Sequence, residues 1–245
     1  MSRFAVTYIG GPTAVLEYAG MRILTDPTFD EPQRYDDPGS TPLVKTHGPG
    51  IALADIGVID LVLLSHHEHP DNLDVTGAEW LIGRPVLSTL EAAHDLDVTG
   101  LAPWQKITVG HVTVTAVPAL HGPVGSEEFV GTVTGFVLQC EEEPNVYVSG
   151  DNASLDVVRS IAAEFPAIDY AVIFAGAARV PAIDAPLTLT STDAVEAAHI
   201  LGAAQVVGLH TEDWEHFSET RAQLEAAFAG TGLLASTPRG VRVDL

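Results

Sequence analysis

Three of the ten histidines fall within four residues, in the run Ser65-His66-His67-Glu68-His69-Pro70-Asp71-Asn72. The match His67-x-His69-x-Asp71 puts two imidazoles at alternate positions of an extended turn, where both can face one cation. Asp71, one step further, can hold a second ion or accept a proton from water. The competing reading is a polar turn in which Asp71 or Asn72 caps the following helix. Three more polar residues stand where apolar runs end: His121 after Val117-Pro118-Ala119-Leu120, Asp151 after Val148-Ser149-Gly150, and His210 after Val207-Gly208-Leu209. In α/β sheets ligands gather outside the carboxyl ends of strands, so these groups can share one site with the histidine cluster. Imidazole and carboxylate ligands without thiolate suit Zn or Mn, as one or two divalent ions. A cation so held brings the pKa of bound water toward 7 and supplies a hydroxide nucleophile at neutral pH.

The elements that must position these groups are legible from pattern. Residues 4–9, 14–18 and 22–25 read as antiparallel strands separated by Gly10-Gly11-Pro12-Thr13 and Ala19-Gly20. Residues 60–65 are a run buried on both faces, with a helix expected from there through Leu81. Strands are expected at 86–88, 107–117 (broken at Gly110), 132–139, 146–149, 170–174 and 206–209, and helices at 155–165, 193–201 and 217–228. Residues 27–50 carry five prolines and no apolar period, which reads as a loop covering the site and setting substrate choice. No linker interrupts the chain, so residues 1–245 are read as a single α/β domain.

These residues resemble a family. The run from Leu63 to Asn72, Gly122 after His121, Ser149-Gly150-Asp151 and the late His210 look like the ligand series of the metallo-β-lactamase-fold hydrolases. Gly10-Gly11-Pro12-Thr13 and Thr25-Asp26-Pro27 look closest to the branch that includes ascorbate-6-phosphate lactonase and N-acyl-phosphatidylethanolamine phospholipase D. The resemblance implies an αββα four-layer sandwich, two mixed sheets flanked by helices, with a one- or two-metal site at the sheet edges. By position His67, His69 and His121 would hold the first metal, Asp71 and His210 the second, and Asp151 would bridge. It also implies a metal-dependent hydrolase acting on a small ester, lactone, amide or phosphodiester, with Asp71 as general base.

Two departures open alternatives. Asn72 stands where the family has its last signature histidine, and Pro186 falls where the branch often has a His-Phe-Thr stretch. Both favour a rival reading, a catalytically degenerate binding or scaffold protein. The register is also double: His-x-His spacing favours His67, whereas Ser65 at the strand end favours His66. His67 is preferred and both are kept.

Other residues are set aside. Cys140 reads as a packing residue, His216 could reach the site but reads as structural, and Ser126 and Ser149 lie in no nucleophile elbow. His47 could meet substrate from the loop, and Arg179 could take an anionic group or form a surface salt bridge. The formal charge of −22 comes from 33 acidic against 11 basic residues, with lysine only at Lys45 and Lys106. So acidic a protein repels phosphate backbones and anionic lipid, so nucleic acid is not an expected partner. A small-molecule substrate and no membrane insertion are expected, since no apolar run nears membrane-spanning length. One cysteine and no signal-like N-terminus point to the cytoplasm. The sequence carries no reading of oligomeric state.

Overall fold

The computed structural model describes residues 4–36 and 41–245. In chain order the elements are β1 (Phe4–Gly10), β2 (Thr13–Tyr18), β3 (Met21–Thr25), β4 (Gln33–Tyr35), β5 (Leu43–Lys45), β6 (Leu61–Leu63), α1 (Val75–Leu81), β7 (Val86–Ser88), α2 (Leu90–Asp95) and β8 (Thr99–Gly100). Then follow β9 (Lys106–Val109), β10 (Val112–Pro118), α3 (Glu127–Val130), β11 (Thr134–Gln139), β12 (Val146–Val148), α4 (Leu155–Glu164), β13 (Tyr170–Phe174), α5 (Ser191–Leu201), β14 (Gln205–Leu209), α6 (Arg221–Ala227) and β15 (Arg242–Asp244).

Two large mixed sheets face each other. One has strand order β15-β1-β2-β3-β6-β7-β8 and the other β14-β13-β12-β11-β10-β9. The first is antiparallel from β15 to β3 and parallel from β3 to β8; the second is antiparallel from β9 to β12 and parallel from β12 to β14.

Period-two alternation sorts the side chains into layers. Phe4, Val6, Tyr8, Leu16, Val114, Phe136, Val148, Val172 and Phe174 meet between the sheets. Val137, Tyr147, Ala171 and Ile173 point outward under α4, α5 and α6. Val15, Leu24, Val62 and Leu64 cover the opposite outer face with Leu81 and Phe29. Every strand residue of β1, β6, β7 and β12 is thus buried, which explains their unbroken apolar runs. The layers are helices, sheet, sheet and helices, as the resemblance implied. Among the described residues no helix is long and apolar enough to cross a membrane.

Several sequence expectations shift. The helix expected at 217–228 begins only at Arg221, because Thr220 and Gln223 form a capping box there. The cap of α1 is Asp74, whose carboxylate accepts from the Gly77 amide, so neither Asp71 nor Asn72 has that role. The segment 27–50 is not one structureless loop: β4 and β5 pair as a hairpin. Its residues 37–40 lie outside the described residues. The helices α2 and α3 and the strands β8 and β15 have no counterpart among the elements read from the sequence.

Candidate metal centre

The strands β3 and β6 of one sheet and β10, β12 and β14 of the other end at one edge of the sandwich. The residues that follow them are Asp26, Ser65-His66, His121, Asp151 and His210. The Thr134 amide donates to the Ser65 carbonyl, 3.0 Å, and ties the two sheets together at that edge. Gly150 has φ +56°, and a Cβ there would lie 2.6 Å from the Thr134 carbonyl oxygen, so only glycine admits the turn that delivers Asp151.

Two groups of ligating side chains result. His66, His69 and His121 form one; Asp71, Asp151 and His210 form the other. In the first, His66 Nε2 and His69 Nδ1 are 3.0 Å apart, and the His121 ring centroid lies 5.3 and 5.4 Å from those of His66 and His69. The free nitrogens are set by hydrogen bonds behind the rings. The Ser65 hydroxyl donates to Asp26, 2.8 Å, so its oxygen accepts from His66 Nδ1, 3.0 Å, and His66 Nε2 keeps its lone pair. His121 Nδ1 donates to the Leu187 carbonyl, 2.8 Å, which frees Nε2 in the same way. Burial, reinforced by the neighbouring imidazoles, holds His66 well below the usual histidine range and His121 down to about 3. Both are neutral and able to ligate.

In the second group Asp71 Oδ2 lies 3.2 Å from His210 Nε2 and 3.0 Å from His216 Nε2. Burial works against ionisation of Asp71, but the two imidazoles hold its carboxyl well below the usual range. Asp151 stands between the groups, Oδ2 3.7 Å from His121 Nε2 and Oδ1 3.7 Å from His210 Nε2. Burial and the nearby Asp71 and Asp26 carboxylates push Asp151 well above its ordinary value. Asp71 Oδ1 and Asp151 Oδ2 are buried with no hydrogen-bond partner. Two orphaned carboxylate oxygens beside unprotonated imidazoles are the donor set a divalent cation satisfies, so the residues fit a metal.

The structure thus gathers His66, His69, Asp71, His121, Asp151 and His210. It corrects the preference for His67, whose Nε2 faces Asp95, 3.0 Å, and whose Nδ1 faces Glu68, 3.2 Å. Adjacent residues at the strand end diverge, and Ser65 fixes which of the two turns inward.

His216, read as structural, reaches Asp71; its place four residues before the capping box gives no periodic signal. Asn72 Oδ1 is buried without a hydrogen-bond partner. Its Nδ2 donates to Ser65 Oγ and Asp151 Oδ1, each 3.2 Å, and so positions members of both groups. The segment around Pro186 supplies the carbonyl that orients His121. His47 and Arg179 are exposed and do not line the cavity over the centre.

That cavity encloses about 760 Å³. His69, Asp71, His121 and His216 form its floor, and Tyr35, Leu43, Phe129, Val130, Ile183 and Leu187 are among its walls.

Comparison with known proteins bears on the family and the fold. The model of the beta-lactamase superfamily domain matches residues 21–211. The chain belongs to the beta-lactamase superfamily, with the metallo-β-lactamase fold. An uncharacterized protein of Mycobacterium tuberculosis is 34% identical over 131 residues, 49% of this chain and 34% of that protein. The match therefore spans about a third of that relative's length. A metal-dependent hydrolase of Rubrobacter xylanophilus is 26% identical over 241 residues, covering 93% of this chain and 90% of that one. Among solved structures, a possible metal-dependent hydrolase from Veillonella parvula superposes with a TM-score of 0.86 at 16% identity, covering 100% of both chains. An isothiocyanate hydrolase from Delia radicum gut bacteria gives 0.83 at 20% identity, covering 98% of each.

Proposed function

We propose that the protein is a metal-dependent hydrolase whose centre holds up to two divalent ions, Zn or Mn. The observation that carries this reading is the pair of ligating groups, joined by Asp151, on the floor of one cavity. His66, His69 and His121 would hold one ion; Asp71, His210 and His216 would hold the other, with Asp151 shared. A divalent ion bound there lowers the pKa of coordinated water and polarises a carbonyl or phosphoryl oxygen.

The chain's own residues do the rest. Ser65 and the Leu187 carbonyl hold His66 and His121 in the tautomers that face inward. Asp71 offers Oδ1, the oxygen without a partner, to an ion or to a water proton, and its Oδ2 lies against Nε2 of His210 and of His216, the imidazoles that would share the ion with it. The two departures that favoured a scaffold protein each serve the centre: Asn72 braces Ser65 and Asp151, and the segment at Pro186 orients His121.

The test is elemental analysis with titration of chelator-treated protein by Zn²⁺ and Mn²⁺, followed by assay on activated esters and phosphodiesters. Binding of one to two equivalents with metal-dependent turnover supports the reading. Less than about 0.1 equivalent, with no uptake on titration, would sink it.

A further inference from the structure

We infer that the cavity selects an uncharged substrate with a compact apolar body and turns away one whose far end is anionic. The inference rests on the hydrolase reading for its chemistry but on the cavity walls for its content. Beyond the floor, the walls are mainly the side chains of Tyr35, Leu43, Phe129, Val130, Ile183 and Leu187. Phe129 is 77% exposed while lining the cavity, so its ring is an apolar surface that a ligand would cover. A volume of about 760 Å³ suits a small molecule.

Among the described lining residues none is Lys or Arg; outside the floor the ionisable ones are Asp36, Glu68 and His67, of which Asp36 is already paired with Arg34 at 2.8 Å and His67 is taken by Glu68 and Asp95 at 3.2 and 3.0 Å. Lys45, the last residue of β5, is 2% exposed and committed to Asp74 at 2.8 Å. Arg179 lies outside the lining, and residues 37–40, Asp-Pro-Gly-Ser, contain no base. A carboxylate at the reacting end could meet an ion on the floor. One at the far end would lose its hydration against apolar and acidic walls and find no counter-ion.

The reaction is acyl transfer to water. Water oxygen bonds to the acyl carbon, the acyl–oxygen bond breaks with its electron pair going to the alcohol or phenol oxygen, and the water proton is released or passed to that oxygen.

The experiment uses two matched pairs on metal-loaded protein. The turnover pair is p-nitrophenyl butyrate and mono-p-nitrophenyl succinate, which differ by a carboxylate at the far end of the acyl chain. The binding pair, measured by calorimetry, is methyl hexyl ketone and the keto acid that carries a carboxylate at its far end. The neutral ester should lead in kcat/KM by about 100-fold, because the charged one leaves an unpaired group buried. The neutral ketone should bind at least about 10-fold tighter for the same reason. The double variant Asp36→Asn/Glu68→Gln should narrow the gap between the charged and the neutral ester by about fivefold or more. If the charged ester or the keto acid does as well as its neutral partner, or if neither ketone binds, the inference is overturned. If the neutral ketone binds selectively but neither ester is hydrolysed, the substrate preference stands and the hydrolase reading falls.

Discussion

Lys45 and Asp74 form a buried ion pair with side-chain exposures of 2% and 0%, Nζ to Oδ2 2.8 Å. It joins the β4–β5 hairpin to the N-terminus of α1, and so holds Tyr35 and Leu43 in the cavity wall. Asp74 also caps α1 through the Gly77 amide and accepts from the Asp30 amide at 2.6 Å. Asp30 in turn accepts from Tyr35 and from Thr76. Replacing Lys45 by Met keeps much of the buried stem but leaves the Asp74 carboxylate without its counter-ion. Removing one partner of a buried pair costs about 3–5 kcal/mol. Two backbone donors still serve Asp74, so the lower part of that range is expected.

With a urea slope of about 3 kcal/mol per M for a chain of this size, the midpoint should fall by roughly 1 M or more. The double variant Lys45→Met/Asp74→Asn removes the stranded charge and leaves the Asp30 amide short of one acceptor, a cost of about 1–3 kcal/mol. It should therefore be more stable than Lys45→Met alone. Equilibrium urea unfolding followed by tryptophan fluorescence measures both. A Lys45→Met midpoint unchanged from the parent, or a double variant less stable than the single one, would refute the reasoning.

Three further outcomes are expected. His66→Ala should abolish high-affinity metal uptake at the histidine group, whereas His67→Ala should leave it intact; equal losses in metal titration would contradict the assigned register. Ser65→Ala removes the acceptor behind His66 Nδ1 and should weaken metal binding by about 10–100-fold without unfolding the protein; an unchanged affinity would show that Ser65 does not orient the ring. The third concerns metal-free protein. His66, His121 and His210 are held below the ordinary histidine range chiefly by burial, so their stabilising effect is lost as pH falls below about 6.5. Burial raises Asp26 to about 7 and raises Asp151, and groups of that kind add stability as pH falls toward 4. Three such imidazoles against two such carboxyls leave a net loss of stability on acidification below about pH 6.5, and Asp26→Asn, which removes one of the opposing groups, should steepen it. Urea midpoints measured in chelator across that range test the balance, and stability that rises on acidification would contradict it.

Much of the fold was legible because buried strands leave a continuous apolar signature that needs no tertiary information. Residues 86–88 and 170–174 coincide with β7 and β13 for that reason. The hairpin of β4 and β5 is of another kind. Its strands have three residues each, the first largely exposed, and the ion pair of Lys45 with Asp74 together with the hydrogen bond from Tyr35 to Asp30 holds it in place. A partner 29 residues away in sequence, as Asp74 is from Lys45, is invisible to a windowed pattern. His216 escaped in the same way, since the chain around it has no regular period and its partner Asp71 is 145 residues distant.

The choice between His66 and His67 shows where sequence spacing stops being a guide. His-x-His alternation assumes an extended backbone, and on that assumption His67 and His69 share a side. The chain instead leaves β6 and turns, and the Asn72 and Leu73 amides fold back to the His69 carbonyl at 3.1 and 2.9 Å. Across such a turn, residues three apart converge and residues two apart diverge, so His66 meets His69. What makes this turn the stable one is the polar set around Ser65. Its hydroxyl donates to Asp26, and its oxygen accepts from both His66 and Asn72. Every hydrogen-bonding site of a fully buried hydroxyl is thereby used. Turning His67 inward instead would take His66 Nδ1 away from Ser65 Oγ, at a cost of about 1–3 kcal/mol for a buried group left unpaired. Asn72 is thus bound up with the register itself: an amide at that position can donate to Ser65 and to Asp151 at once, and it braces the three-residue step between the two histidines.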